Sequence, residues 1–478
     1  MDTAVSTTVK INCFIRGNHR MKKGIDLLNG PIAGSLARLA LPIMGTSLIQ
    51  MAYNLTDMLW IGRIGSNAVA AVGAAGMYIW LSAGITMLAR MGGQVLTAQS
   101  LGAGKKEKAV QYATASLQMG LLFGLLYGVI SVIFNRPLIG FFRLNSPEVI
   151  LDARWYLAVT CGGIVFNFIN QIFTGLLTAM GNSMITFWST TIGLVINLVL
   201  DPVLIFGPGP LPRLGVKGAA AATVFAQVMV FSIYILRIRR DALIFSKVRI
   251  LQRPAVKRMR EILLVGLPAS VQNLIFTGIS MLIARMIAGW GDAAVAVQKV
   301  GSQIESISWM TAEGFGSAVN AFTAQNYGAG KNDRVRKGYF SALKIMCTWG
   351  LFTTLALLLF PEILFRVFIP EADILPMGTD YLRILAVSQL FMCTEAASAG
   401  AFQGLGRTLP PSLIGIIFNT LRIPLAAVLS ASVLKLNGIW WSISISSVLK
   451  GIILPIWLML CMYSLHHVKK SGKRRNGL

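Results

Sequence analysis

Long apolar runs alternate with short polar and basic stretches along the whole 478-residue chain. They centre near residues 50, 85, 123, 165, 195 and 227, then near 275, 310, 350, 390, 421 and 450. An α-helix needs about 20 apolar residues to cross the hydrocarbon core. The pattern predicts an all-α polytopic membrane protein with twelve transmembrane helices. A polar segment, 1–36, precedes the first group, 37–237. A basic connection, 238–258, leads to the second group, 259–464, and a basic tail, 465–478, comes last.

One phrase occurs twice, TAQSLGAGK at 97–105 and TAQNYGAGK at 323–331, 226 positions apart. At that offset Leu41-Pro42 matches Leu267-Pro268, Leu48 matches Leu274, and Gly65 matches Gly291. Ala68–Ala70 matches Ala294–Ala296, and a weaker match at 225 sets Gly175 and Gly181 against Gly400 and Gly406. Equivalent points are an even number of spans apart, so both halves enter the membrane in the same sense. Such parallel repeats are related by an axis along the membrane normal, and transporters rock them about a central pathway. Two six-helix lobes related by a pseudo-two-fold are expected. The phrase fails as a phosphate loop, which reads GxxxxGK followed by Ser or Thr. Gln99 and Gln325 stand where the first glycine belongs, and Lys106 and Asn332 where the hydroxyl belongs. A helix closed by glycine, with lysines facing the helix dipole, explains both copies as a cytoplasmic cap and hinge.

Composition narrows the class. The chain is 55% hydrophobic and 13% charged, against about 25% charged in soluble domains. A net charge of +25 would suggest nucleic acid if its cations studded a polar domain. Here they cluster between apolar runs: Arg16, Arg20, Lys22 and Lys23; Lys105, Lys106 and Lys108; the 6–7 connection; Lys331, Arg334, Arg336 and Lys337; and the tail VKKSGKRRNGL. The positive-inside rule places those connections and both termini in the cytoplasm, and no nucleic-acid partner is expected. The odd connections hold only scattered cations, such as Arg136, Arg143, Arg213 and Arg366. Five scattered cysteines, among them Cys13, form no disulfide framework or thiolate metal site. No apolar signal segment precedes span 1. HExxH and GxSxG are absent, and His19, His466 and His467 lie near the ends. Neither catalysis nor a cofactor beyond a coupling ion is expected.

Ionisable groups inside the membrane are functional candidates, because a charge at mid-bilayer costs about 2.5 kcal/mol or more. Asp57 lies in span 1, and Asp201 lies at the end of span 5 with Asn197 one turn earlier on the same face. With Thr223 of span 6 they would make an oxygen cage for a hard cation such as Na⁺. Held away from water, the same carboxylates could carry a proton instead. A simpler reading has Asp201 capping span 5 before Pro202, and Thr223 satisfying a backbone carbonyl. The pair is not duplicated, since Ile283 and Ala426 stand at the equivalent positions. The second half instead holds Glu305, Glu313 and Glu395, with Arg285, Arg422 and Lys450. These are either a second coupling site or internal ion pairs. Pro42, fifteen residues before Asp57, lies either in a harmless first turn or in the helix interior, where it would act as a hinge.

Over about residues 30–465 the chain resembles the multidrug and toxic compound extrusion (MATE) family. The resemblance rests on YNLTDMLWIGRIGSNAVAAVG at 53–73, TAQSLGAGK and GNSMITFWSTTIGLVINLVLDPVLIFG at 181–207. GLPASVQN at 266–273, with GLGRTLPPSLIG and LRIPLA between 404 and 426, carries it in the second half. It implies export of organic, often cationic compounds driven by inward Na⁺ or H⁺, in a bacterial inner membrane. Two six-helix lobes can enclose a pathway without a partner chain, so a functional monomer is expected. By resemblance, Asp57, Asn197, Asp201 and Thr223 fall on the first-lobe cation site of one branch, and Tyr156 aligns more loosely with it. Phe276 stands where some members carry a span-7 acid. The alternative is a flippase for lipid-linked saccharides, whose cationic cavity would draw on Arg90, Arg285, Arg422 and Lys450.

Overall fold

The structure is a computed structural model that describes residues 25–475 except 143, 145, 208–211, 239–243, 369, 370 and 372. Arg16, Arg20, Lys22, Lys23, Arg143, Cys13 and His19 lie outside the described residues. The first half comprises α1 (Ile32–Gly62), α2 (Ser66–Gly102), α3 (Lys106–Ile133) and the short α4 (Asn135–Gly140). It continues with α5 (Pro147–Gly162), α6 (Ile164–Ala179), α7 (Ser183–Phe206) and α8 (Val216–Ile238). The second half comprises α9 (Val256–Ala288), α10 (Asp292–Gly328), α11 (Asn332–Leu359) and the short α12 (Pro361–Arg366). It ends with α13 (Leu375–Gly404), α14 (Leu409–Ser430) and α15 (Lys435–Arg475).

Ten of these helices are long and apolar enough to cross a membrane, and the pair α5 and α6 makes an eleventh span, bent by 47°. The apolar run near residue 165 is therefore two helices that meet at a bend and count together as one span. The break falls at Gly163, where a Cβ would run into Val224 of α8. The remaining long helix, α10, has 37 residues, about 55 Å at about 1.5 Å each. It does not meet the same apolar measure, and it holds Lys299, Glu305 and Glu313. Hydropathy thus accounts for eleven of the twelve expected spans.

The two copies of the glycine phrase meet each other. A Cβ on Gly102 would strike the Gln325 carbonyl, and one on Gly328 would strike the Gln99 carbonyl. The backbones of α2 and α10 cross there at a distance only glycine allows. The glutamines complete the symmetry: Gln99 Nε2 donates to Gly404 O at 2.9 Å, and Gln325 Nε2 donates to Ala179 O at 2.6 Å. Ala179 and Gly404 are partners at the 225 offset. Each phrase also closes its own helix. Gly104 and Gly330 have φ of 73° and 71°, and Lys105 N and Lys331 N bond back to Ser100 O and Asn326 O at 2.9 Å. This is a glycine C-cap in both copies.

Two arms reinforce the same end. The segment before α1 lies on the second half: Leu27 O accepts from Asn326 Nδ2 at 3.0 Å and Arg334 Nε at 3.2 Å. Lys331 Nζ donates to Leu28 O at 3.0 Å. The segment before α9 lies on the first half, where Gln118 Nε2 of α3 donates to the Ile250 and Gln252 carbonyls at 2.8 Å. Each half therefore reaches across to the other at the lysine-bearing end. Pro42 lies well inside α1, not in its first turn, and α1 packs against both α7 and α10.

Candidate functional site

Helix α7 continues through Pro202 to Phe206, where Gly207 closes it in the left-handed region with φ of 60°. Asp201 is therefore an interior residue and does not cap the span. Asn197 and Asp201 are both buried, and Asn197 Nδ2 donates to Asp201 Oδ1 at 3.0 Å. Across from them on α1, the charge of Asp57 acts on Asp201, Tyr53 and Tyr156. Tyr156, on α5, is buried. Thr223 of α8 lies beside Tyr53, and its hydroxyl donates to Ala219 O at 3.0 Å, leaving only lone pairs for another partner. All five first-lobe candidates thus converge.

This neighbourhood is short of hydrogen-bond partners. Asp57 Oδ1, Asp201 Oδ2, Asn197 Oδ1 and the Tyr53 hydroxyl are all buried without one. Buried polar atoms are rarely left so, because each unpaired group costs about 1–3 kcal/mol. Three of the four are acceptors only and the fourth, a phenol, can donate once, so acceptors outnumber donors and no positive charge is present among them. Among the described residues no group of three or more His, Cys, Asp or Glu side chains could hold a metal. A cation here would rest on two carboxylates and neutral oxygens, a set suited to Na⁺ or to protons. Sequence reasoning missed Tyr53, although it stands one turn before Asp57 on the same helix face.

A cavity of about 210 Å³ adjoins the site and is lined by Tyr53 and Thr223. Amides dominate the rest of its polar wall: Gln50, Asn54, Asn167, Asn170, Gln171 and Gln227. Arg90 Nη1 of α2 donates to Gln171 Oε1 at 3.0 Å.

The structure does not bring the second-half acids together. Glu395 pairs with Lys450 at 3.1 Å, tying α13 to α15. Glu305 accepts from Gln389 Nε2 at 3.2 Å and Tyr381 OH at 3.4 Å. Glu313 stands apart, across from Arg90. Arg422 is held by Ser446 Oγ at 2.7 Å and Ser447 Oγ at 3.1 Å, with its guanidinium 5.8 Å from the Phe276 ring. Ile283 and Ala426, the counterparts of the acid pair, are buried in one apolar cluster. Packing has taken the place of charge there.

Repeated helical lobes, a membrane-spanning composition and a buried acidic site beside a polar cavity define a polytopic membrane transport protein. The MatE family model matches residues 42–203 and 268–428, one block in each half, and the chain belongs to that family. A probable multidrug resistance protein NorM of Thermotoga maritima is 28% identical over 405 residues, covering 83% of this chain and 86% of that protein. An FAD transporter of Shewanella oneidensis is 26% identical over 441 residues, covering 90% and 95%. Among solved structures, a MATE in the straight conformation matches with a TM-score of 0.84 at 26% identity, covering 93% of this chain and 99% of that one. An outward-facing multidrug resistance MATE transporter has the same fold, with a TM-score of 0.85 at 24% identity over 93% and 99% of the two chains.

Proposed function

We propose that the protein is a secondary active transporter that exports small organic, chiefly cationic, compounds by antiport with Na⁺ or H⁺. It works through alternating access of two six-helix lobes, with α10 as the eighth of twelve spans, in a bacterial inner membrane with both termini cytoplasmic. The observation that carries this reading is the cluster of buried, unpartnered oxygens on Asp57, Asn197, Asp201 and Tyr53. Two carboxylates that influence each other out of water repel until a cation or proton joins them. Filling and emptying the site therefore changes how tightly α1 is held against α7 and α8. Pro42 offers a place for α1 to bend, since its ring removes one backbone hydrogen bond. Thr46 Oγ1 already donates to the Pro42 carbonyl at 2.8 Å, a local bond that does not need a straight helix.

The flippase reading needs free cations around a cavity. Lys450 is neutralised by Glu395, whereas Arg422 and Arg90 are held by neutral hydroxyl and amide groups; the buried carboxylate pair beside the cavity, which a flippase would not need, favours antiport. The test is gradient-driven movement of ethidium by the purified protein in proteoliposomes, with a Na⁺ or a pH gradient imposed separately. FAD serves as a comparison cargo because one relative transports it. Transport driven by one gradient supports antiport. Ethidium movement indifferent to both gradients would overturn it.

A further inference from the structure

We propose that the turn at 249–252, in the connection before α9, is a binding site for anionic phospholipid of the leaflet at the lysine-bearing end. Ile250 and Leu251 dip among the acyl chains, and Arg249, Arg253 and Lys257 hold the phosphate headgroups. The site is independent of the cargo and of the coupling ion.

The connection is seated before it turns outward. Ile244 and Phe245 are buried in the core of the first half, and the Phe245 ring meets that of Phe173 on α6 edge-on at 5.9 Å. Gln252 N donates to Arg249 O at 3.1 Å, closing a tight turn with Ile250 and Leu251 at its two central positions. The carbonyls of Ile250 and Gln252 both accept from Gln118 Nε2, which fixes the turn against α3. Leu251 is nonetheless fully exposed, and Ile250 and Val256 are exposed beside it. Single exposed apolar residues are ordinary. Here they are interleaved with Arg249, Arg253 and Lys257 on one seated segment, the composition of a chain that lies in a membrane interface.

The level of the turn is set by α3. Before Gln118 the exposed positions of that helix are Lys106, Glu107 and Gln111. One turn beyond it they become Leu121, Leu122, Leu125 and Leu126, and they stay apolar to Ile133. Gln118 thus marks where the lipid-facing surface begins, and its two bonds hold Ile250 and Leu251 at that boundary. The charge agrees with the level. Residues 242–260 contain six Lys or Arg and no Asp or Glu. Arg249, Arg253 and Lys257 are exposed and, among the described residues, form no ion pair. The acid that follows, Glu261, is already engaged by Arg258 at 3.0 Å and by the Tyr112 hydroxyl. Cations at an interface without acids to neutralise them attract anionic headgroups. A soluble acidic partner would match the arginines but would not need a leucine at bilayer level.

The test places an NBD fluorophore at Leu251→Cys in the full-length protein, in a background with the native cysteines removed. The protein is set in phosphatidylcholine nanodiscs that carry increasing fractions of phosphatidylglycerol with a nitroxide on its acyl chain. Emission should be blue-shifted, and half-maximal quenching should come at a several-fold lower fraction than with nitroxide-labelled phosphatidylcholine. Arg249→Gln, Arg253→Gln and Lys257→Gln should each raise the phosphatidylglycerol fraction needed about fivefold and leave quenching by labelled phosphatidylcholine unchanged. All three side chains are exposed, so the variants test charge rather than folding. Lys435→Gln, an exposed cation at the start of α15, should quench as the parent does. Equal quenching by the two labelled lipids, or no change on neutralising the cations, would overturn the proposal. Relief of quenching by inorganic phosphate would do so too, by assigning the arginines to a soluble anion. Water-like emission in every nanodisc, the result expected if the turn served a soluble protein, would equally overturn it.

Discussion

Replacing Gly102 by alanine puts a methyl group onto the Gln325 carbonyl, where the backbone of α10 cannot step aside without moving the whole helix. Overpacking of this kind costs about 1–3 kcal/mol. Separating the helices also strains the bond from Gln325 to Ala179, whose loss adds about 0.5–1.5 kcal/mol. A net penalty of about 2 kcal/mol on the arrangement closed at the lysine-bearing end shifts its population roughly 30-fold. Because Gly328 meets Gln99 as Gly102 meets Gln325, Gly328→Ala should act in the same direction by a similar amount. The assay is pulsed dipolar spectroscopy between spin labels at Lys105→Cys and Lys331→Cys, in a background with the native cysteines removed. Both alanine variants should gain a longer-distance population that the glycine protein lacks. An unchanged distance distribution in both variants, with unchanged thermal stability, would refute the argument that this crossing holds the closed end.

Three further outcomes are expected. Glu395→Gln leaves Lys450 buried without its partner, so the variant should lose about 3–5 kcal/mol of stability; melting curves should show much of it recovered in Glu395→Gln/Lys450→Met. Pro42→Ala should restore the backbone hydrogen bond that the proline ring removes and slow gradient-driven transport without changing cation binding at equilibrium, and normal transport would remove Pro42 as a hinge. Asp26 accepts from the Leu28 and Asn29 amides, and the Asn29 amide above all holds its carboxyl below the usual carboxylate value. A depressed carboxyl stabilises the folded form above its unfolded value and loses that effect as pH falls through the folded one. Hydrogen exchange across residues 25–30 should therefore quicken in strong acid, and Asp26→Ala should show that faster exchange already at neutral pH.

Local spacing exposed part of this site and hid the rest. Asn197 and Asp201 were legible because an i, i+4 pair of polar residues in an apolar run has few bland explanations. Asp57 was legible because a carboxylate stands out in a membrane span. Pro202 suggested a helix end, yet α7 runs on to Phe206, since lost proline bonds are tolerated inside a packed bundle. The break at Gly163 lay within continuous hydropathy, which does not register a bend. The duplicated phrase was plain in the sequence, but its purpose was not. Gln99 bonds to a residue 305 positions away and Gln325 to one 146 positions away, and no periodicity reports such pairings. Glu313 and Glu395 look alike as isolated acids in apolar runs; only the ion pair to Lys450 separates them.

The most direct test of first-lobe coupling is ethidium transport in proteoliposomes under the driving gradient, comparing wild type, Asp57→Asn and Glu305→Gln. Gradient dependence lost in Asp57→Asn and kept in Glu305→Gln is the predicted result. Gradient dependence kept in Asp57→Asn and lost in Glu305→Gln would contradict the account and move coupling to the second lobe.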